Sequence, residues 1–282
     1  MMFFDKLHEK IAHCKTRLCV GIDPLVPSES PLLKNGMGVA EIVEKSVDIL
    51  IKQAAGHNIP AVKFQSAYFE ALGTDGFGIL HRAIAKARST NLITILDAKR
   101  GDISSTMQAY GRFAFEFMSA DCLTITPYMG IDTVEPLLPW LKVDRGVYVV
   151  WATSNKSADS LQFLSTGDRC FFQNVYGVVN DFAVKHAVQP AIGYVLGATK
   201  VGAPEIRSAL SSFSTSSFLL PGVGAQGGEV DAELQGLLAK HPSSLVPVSR
   251  EIGEITLAVH SLNDYELKIS GAIGRLKTLL SL

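Results

Sequence analysis

Eight short apolar runs, spread through 282 residues and separated by stretches of helical period, restrict the architectures open to this chain more than any other feature. They are Arg17 to Pro24, Ala61 to Gln65, Leu92 to Lys99, Cys122 to Pro127, Val147 to Ala152, Ile192 to Gly197, Phe218 to Val223 and Leu245 to Ser249. Short continuous apolar runs of this kind read as strands buried on both faces. Between them, Val39 to Ala55 repeats apolar residues at three- and four-residue spacing through Val39, Ile42, Val43, Val47 and Leu50, the period of an amphipathic helix. Pro204 followed by Glu205 suits a first helical turn, where a missing N–H costs nothing and a carboxylate faces the positive end of the dipole. Eight strands alternating with helices predict an α/β fold of the (β/α)8 TIM-barrel type, with residues 1–282 as a single domain. A doubly wound open sheet is the alternative, but Gly21-Ile22-Asp23-Pro24 after the first run is not its Gly-x-Gly-x-x-Gly turn. The serine-rich stretch Ser208 to Ser217 reads as a helix end and loop, and Ile255 to Leu282 as one or two helices closing the barrel.

Composition narrows the class of function. The chain is 47% hydrophobic and 19% charged, which suits a large enclosed sheet. With a net charge of −1 and no run of Lys and Arg, it carries no electrostatic footprint for nucleic acid. No stretch approaches the roughly 20 apolar residues of a membrane span, and Met1 to Lys6 lacks the apolar core of a signal peptide. The expectation is a soluble cytoplasmic protein without membrane contact. Cys14, Cys19, Cys122 and Cys170 form no Cys-x-x-Cys, so they read as reduced thiols serving as small apolar residues. None of the histidines has a partner at metal-ligand spacing; they read as surface or helix-end residues, and no metal site is expected.

In a barrel of this kind chemistry collects at the C-terminal ends of the strands. Asp23 ends the first run, and Lys63 lies on the second. Asp97-Ala98-Lys99-Arg100-Gly101-Asp102 closes the third. Strict alternation sends Ile93, Ile95, Asp97 and Lys99 to one face of that strand. Lys63, Asp97, Lys99 and Asp102 are therefore expected to form an array in which each charge neutralises its neighbours. The seventh run leads into Pro221-Gly222-Val223-Gly224-Ala225-Gln226-Gly227-Gly228, and the eighth ends in Ser249-Arg250. These are the barrel positions at which phosphate is often held; a glycine loop offers backbone N–H groups, Gln226 an amide donor and Arg250 a charged planar fork.

Taken together, the Asp97 to Ile103 motif, Lys63-Phe64, the glycine loop from Pro221 and the arginine of the eighth run resemble the orotidine 5′-phosphate decarboxylase family. Thr126-Pro127-Tyr128-Met129-Gly130 and the Ala198-Thr199 to Pro204-Glu205 segment are similar to its longer bacterial branch. The resemblance spans nearly the whole chain. It implies cofactor-independent decarboxylation of orotidine 5′-phosphate to uridine 5′-phosphate in pyrimidine synthesis, by a homodimer with shared active sites. It also implies that Lys99, Asp97 and Lys63 act on their own subunit's substrate, while Asp102, Ile103 and Thr106 enter the partner's site. Asp23 and Lys63 would hold ribose hydroxyls, Ser154 rather than Thr153 the pyrimidine amide edge, and Gln226 and Arg250 the phosphate. Thr126 stands where this branch often has Asn and takes no role.

The alternative within the superfamily is a Mg²⁺-dependent keto-sugar-phosphate decarboxylase or hexulose-phosphate synthase, which shares an Asp-x-Lys-x-x-Asp pattern. Lys63 favours the nucleotide, because a metal site would want a carboxylate near that strand end. A catalytically silent sugar-phosphate-binding barrel is a rival of another class. The cost of assembling the charged array argues against it.

Overall fold

The computed structural model describes residues 1–213, 216–224, 227–253 and 259–282. The eight expected strands form one parallel sheet. They are β1 (Leu18–Ile22), β2 (Ala61–Gln65), β3 (Ile93–Arg100) and β4 (Cys122–Ile125), followed by β5 (Gly146–Ala152), β6 (Ile192–Leu196), β7 (Phe218–Leu219) and β8 (Val246–Val248). Neighbours pair in the order β7-β6-β5-β4-β3-β2-β1-β8. The two ends meet along a short seam, where Leu245 N–H donates to the Phe218 carbonyl at 2.8 Å and Leu220 N–H to the Leu245 carbonyl at 2.9 Å. The sheet thus comes round into a barrel, and the open-sheet alternative is set aside.

β7 is shorter than its apolar run suggests, for a reason visible in the sequence. Pro221 has no N–H to give a ladder, and Gly222 turns the chain with φ of 107°. β7 therefore stops at Leu219, and the rest of its run becomes loop over the top of the barrel.

Helices cover the outside. Val39–Gly56 buries the predicted stripe Ile42, Val43, Val47 and Leu50 against the sheet, and Pro204–Leu210 opens at its proline. Leu262–Leu279 is capped by Ser261, whose hydroxyl accepts from Asp264 N–H, and it packs beside Val39–Gly56. Of the C-terminal stretch read as helical, residues 255–258 lie outside the described residues. Among the described residues no helix is long and apolar enough to cross a membrane, and no group of His, Cys, Asp or Glu could hold a metal ion. All four cysteines are free thiols.

Inside the barrel the N-terminal helix Phe3–Cys14 closes the lower end. Phe3, Phe4, Leu7 and Ile11 pack against Cys19, Ala61, Ile95, Cys122 and Tyr148 from successive strands. The aromatic plug requires glycine at two strand positions. A Cβ at Gly146 would stand 2.2 Å from the Phe3 ring, and one at Gly193 would stand 2.7 Å from the Phe4 ring. The next inward residues on β2, β3 and β4 are Lys63, Asp97 and Thr124, all buried. Polar chemistry therefore begins one layer above the plug.

Candidate active site

A cavity of about 380 Å³ opens at the C-terminal end of the barrel. Val195, Leu219 and Pro247 make its apolar floor, and Asp23, Lys63, Asp97 and Lys99 line its charged side. Thr153, Ser154 and Asn155 face it from the loop after β5, and Gly222, Val223 and Arg250 from the loop after β7 and the end of β8.

Asp97 is the centre of the charged side. Its Oδ2 accepts from Lys63 Nζ at 2.9 Å and from Gln65 Nε2 at 3.5 Å. Its Oδ1 accepts from Lys99 Nζ at 2.6 Å and from Thr124 Oγ1 at 2.8 Å. Burial by itself would raise this carboxyl, but the Lys63 and Lys99 ammoniums outweigh it and hold Asp97 well below the usual carboxylate range. Burial would likewise lower Lys63; the Asp97 and Asp23 carboxylates prevail and hold it above the usual lysine range. Both groups are thus ionised in a nearly dry setting because each supplies the other's counter-charge. Beneath them the buried Cys19 thiol is pushed up to about 12, chiefly by burial, and stays protonated.

The pairing of Asp97 with Lys99 comes about differently from simple strand alternation. Leu96 on β3 faces Leu123 on β4, and Arg100 faces Ile125. Asp97, Ala98 and Lys99 therefore stand opposite Thr124 alone, as a bulge. Lys99 takes φ of 45°, a left-handed conformation that costs a non-glycine residue of order 1–3 kcal/mol. Two threonines of the neighbouring strand region hold it there. Lys99 N–H donates to Thr124 Oγ1 at 2.9 Å, and Thr126 Oγ1 donates to the Lys99 carbonyl at 3.2 Å.

Asp23 and Asp102 exchange places relative to the expected array. Asp23 lies 3.9 Å from Lys63 Nζ, and its Oδ1 is a buried acceptor with no hydrogen-bond partner. Asp102 stands outside its own chain's cavity, beyond the turn at Gly101, where its carboxylate accepts from Ile103 N–H at 2.8 Å. Ile103 and Thr106 are exposed beside it. The isolated chain therefore gathers three of the four predicted charges and adds Asp23.

In the loop after β5, Thr153 is committed internally: Gln162 Nε2 donates to its hydroxyl at 2.8 Å, and its own N–H donates to Gln162 Oε1 at 2.8 Å. Gly197 lets this loop approach, since a Cβ there would stand 2.7 Å from Ser154 N. Opposite, the glycine loop folds on itself, with Gly224 N–H donating to the Gly228 carbonyl at 2.8 Å and Gly228 N–H to the Gly222 carbonyl at 3.0 Å. Gly222, Gly224 and Gly227 all have positive φ, which explains the residue type at those turns. Gln226 lies outside the described residues. Arg250 lines the mouth, exposed, and among the described residues no carboxylate is within ion-pair distance of it.

Gln65 and Thr124 were not singled out by sequence reasoning. A threonine between Leu123 and Ile125 was the available signal, because a hydroxyl at an inward position of a buried strand needs a partner.

A family model described as "Orotidine 5'-phosphate decarboxylase / HUMPS family" matches residues 16–255. The chain belongs to this family. Its relatives include a protein named orotidine 5′-phosphate decarboxylase from Roseiflexus castenholzii (strain DSM 13941 / HLO8), 36% identical over 261 residues and covering 89% of each chain. Another of that name, from Dehalococcoides mccartyi (strain CBDB1), is 34% identical over 238 residues, or 83% of this chain and 82% of its own. The solved structure of Leishmania donovani OMP decarboxylase superposes with a TM-score of 0.73 at 28% identity, covering 99% of both chains. The match starts just before β1 and runs past Arg250, so every strand and both sides of the cavity fall within family-conforming sequence.

Proposed function

We propose that this chain decarboxylates orotidine 5′-phosphate to uridine 5′-phosphate, without a cofactor and as a homodimer. The observation that carries the reading is the Lys63–Asp97–Lys99 network, with an ammonium 2.6 Å from Asp97 Oδ1 at the wall of a cavity in a chain of this family.

The reaction breaks the bond between C6 of the pyrimidine and its carboxylate. The electron pair stays on C6, CO₂ leaves, and a proton must reach C6. Lys99 carries the positive charge that stabilises the carbanion as it forms, then transfers an N–H proton to it. Asp97 keeps that ammonium oriented, and its own charge is secured from behind by Lys63. Because these charges are arranged before substrate arrives, little reorganisation is needed at the moment of bond breaking.

The remaining assignments follow the cavity. The unpartnered Asp23 Oδ1 suits a ribose hydroxyl, with Lys63 close by. Thr153 is engaged by Gln162, which supports Ser154 as the contact to the pyrimidine amide edge. Arg250 and Gln226 are assigned to the phosphate, Arg250 because it stands at the mouth beside the glycine loop. Asp102, Ile103 and Thr106 do not line the cavity of their own chain, and they are assigned to the partner's site in the proposed dimer.

The decisive experiment is an absorbance assay for loss of orotidine 5′-phosphate, run with and without excess chelator. Turnover unaffected by chelator is expected. Absence of turnover overturns the reading, and turnover lost on chelation redirects it to metal-dependent chemistry.

A further inference from the structure

We propose that Thr124 is a positioning residue for the Asp97–Lys99 pair. Its single hydroxyl does two things. It donates to Asp97 Oδ1 at 2.8 Å, and it accepts from Lys99 N–H at 2.9 Å. One atom on β4 thereby fixes the carboxylate that orients the ammonium and the backbone from which the ammonium's side chain springs. This inference rests on the decarboxylase reading of the site.

The register explains why a hydroxyl is required. Between Leu96 and Arg100 the β3 backbone bulges, and Thr124 alone faces its three intervening residues. Lys99 N–H bonds to the Thr124 side chain at this break in the register. A valine would fill the same space and suit a strand as well, but it would leave that N–H without its acceptor. It would also remove one of the two donors on Asp97 Oδ1 and free the carboxylate to rotate toward Lys63. Thr124 is fully buried and does not line the cavity, so it touches no substrate and acts through its neighbours.

The test compares Thr124→Val with Thr124→Ser. Losing a hydrogen bond to a charged group predicts a fall in kcat of roughly 10- to 100-fold for the valine variant. KM for orotidine 5′-phosphate and Kd for uridine 5′-phosphate are expected to stay within about threefold, because no substrate contact is removed. Thr124→Ser keeps the hydroxyl and is expected to recover kcat to within about threefold of wild type. The acid limb of the kcat–pH profile moves to higher pH in the valine variant, since a carboxylate that loses a donor is easier to protonate, and returns in the serine variant. A purely structural role would lower the melting temperature without moving that limb. A valine variant with kcat within twofold of wild type overturns the proposal, as does a serine variant as impaired as the valine one. Should Thr124→Val not fold, Thr124→Ala takes its place against Thr124→Ser, and the same two outcomes would overturn the proposal. Wild-type protein with no turnover removes the decarboxylase reading itself, whereas this proposal fails only against an active wild type.

Discussion

The two ends of the barrel interior are built on the same strands, two residues apart, and they obey opposite rules. At the lower end Ala61, Ile95 and Cys122 meet Phe3 and Phe4, and the Tyr148 hydroxyl is paired with Ser217 Oγ at 3.0 Å. At the upper end the next inward residues are Lys63, Asp97 and Thr124. One step of strand periodicity, about 7 Å, separates a layer held by apolar burial from a layer held by charge. The plug residues are buried below, and Lys63, Asp97 and Lys99 line the cavity above. Stability and chemistry are thus separable by position along each strand, and substitutions in the two layers should produce different signatures.

The largest effect belongs to the upper layer. Under the proposed mechanism Lys99→Ala removes both the stabilising positive charge and the proton donor, and should lower turnover about 10⁴-fold or more. Binding of uridine 5′-phosphate, followed by titration calorimetry, should persist within about tenfold. Near-normal turnover would break the division between layers.

Asp97→Asn tests whether charge also stabilises that layer. Breaking a buried pair by neutralising one partner costs about 3–5 kcal/mol, to be read as a shift in urea midpoint at pH 7. Asp97 is held below the usual carboxylate range in the folded protein, so its contribution is present above the ordinary value near 4 and is lost as pH falls below it. Lys63 is held above the usual lysine range, so its contribution is present below about 10.4 and is lost as pH rises past that value. The gap between wild type and Asp97→Asn should therefore be flat from about pH 5 to 9, narrow in acid and narrow again in strong base.

Phe4→Ala is the counterpart in the lower layer. Truncating a buried ring that contacts Phe3 and Tyr148 should cost about 3 kcal/mol of stability. That loss should be independent of pH between 5 and 9, and kcat of the folded fraction should be unchanged. A matching fall in kcat would show that the plug also tunes the charged layer.

These contrasts also mark what the sequence could and could not disclose. The strands were legible because a fully enclosed parallel sheet writes each one as an apolar run, and the helix from Val39 was legible by its period. The end of β7 was not, because Pro221 and Gly222 turn the chain inside a run that is otherwise apolar. Asp97 and Lys99 were foreseen as partners, but the bulge that brings them together depends on how β3 registers against β4, which neither strand states alone. Thr124 was missed for the same reason: its two hydrogen bonds exist only in that register. Asp102 could be grouped with Lys63 and Asp97 by spacing, yet the turn at Gly101 carries it out of its own chain's cavity.

The smallest expected effect on stability lies at the rim, where the side chain is not buried. Arg250 is exposed and lines the cavity mouth, and among the described residues no carboxylate pairs with it. Arg250→Ala should leave the urea midpoint within about 0.5 kcal/mol of wild type, as surface substitutions usually do. It should weaken uridine 5′-phosphate roughly 10- to 100-fold, the range for a charge-assisted contact, and leave uridine nearly untouched. If the two ligands lose affinity equally, the residue serves the cavity's shape rather than the phosphate, and the rim would have to be counted with the buried layers beneath it.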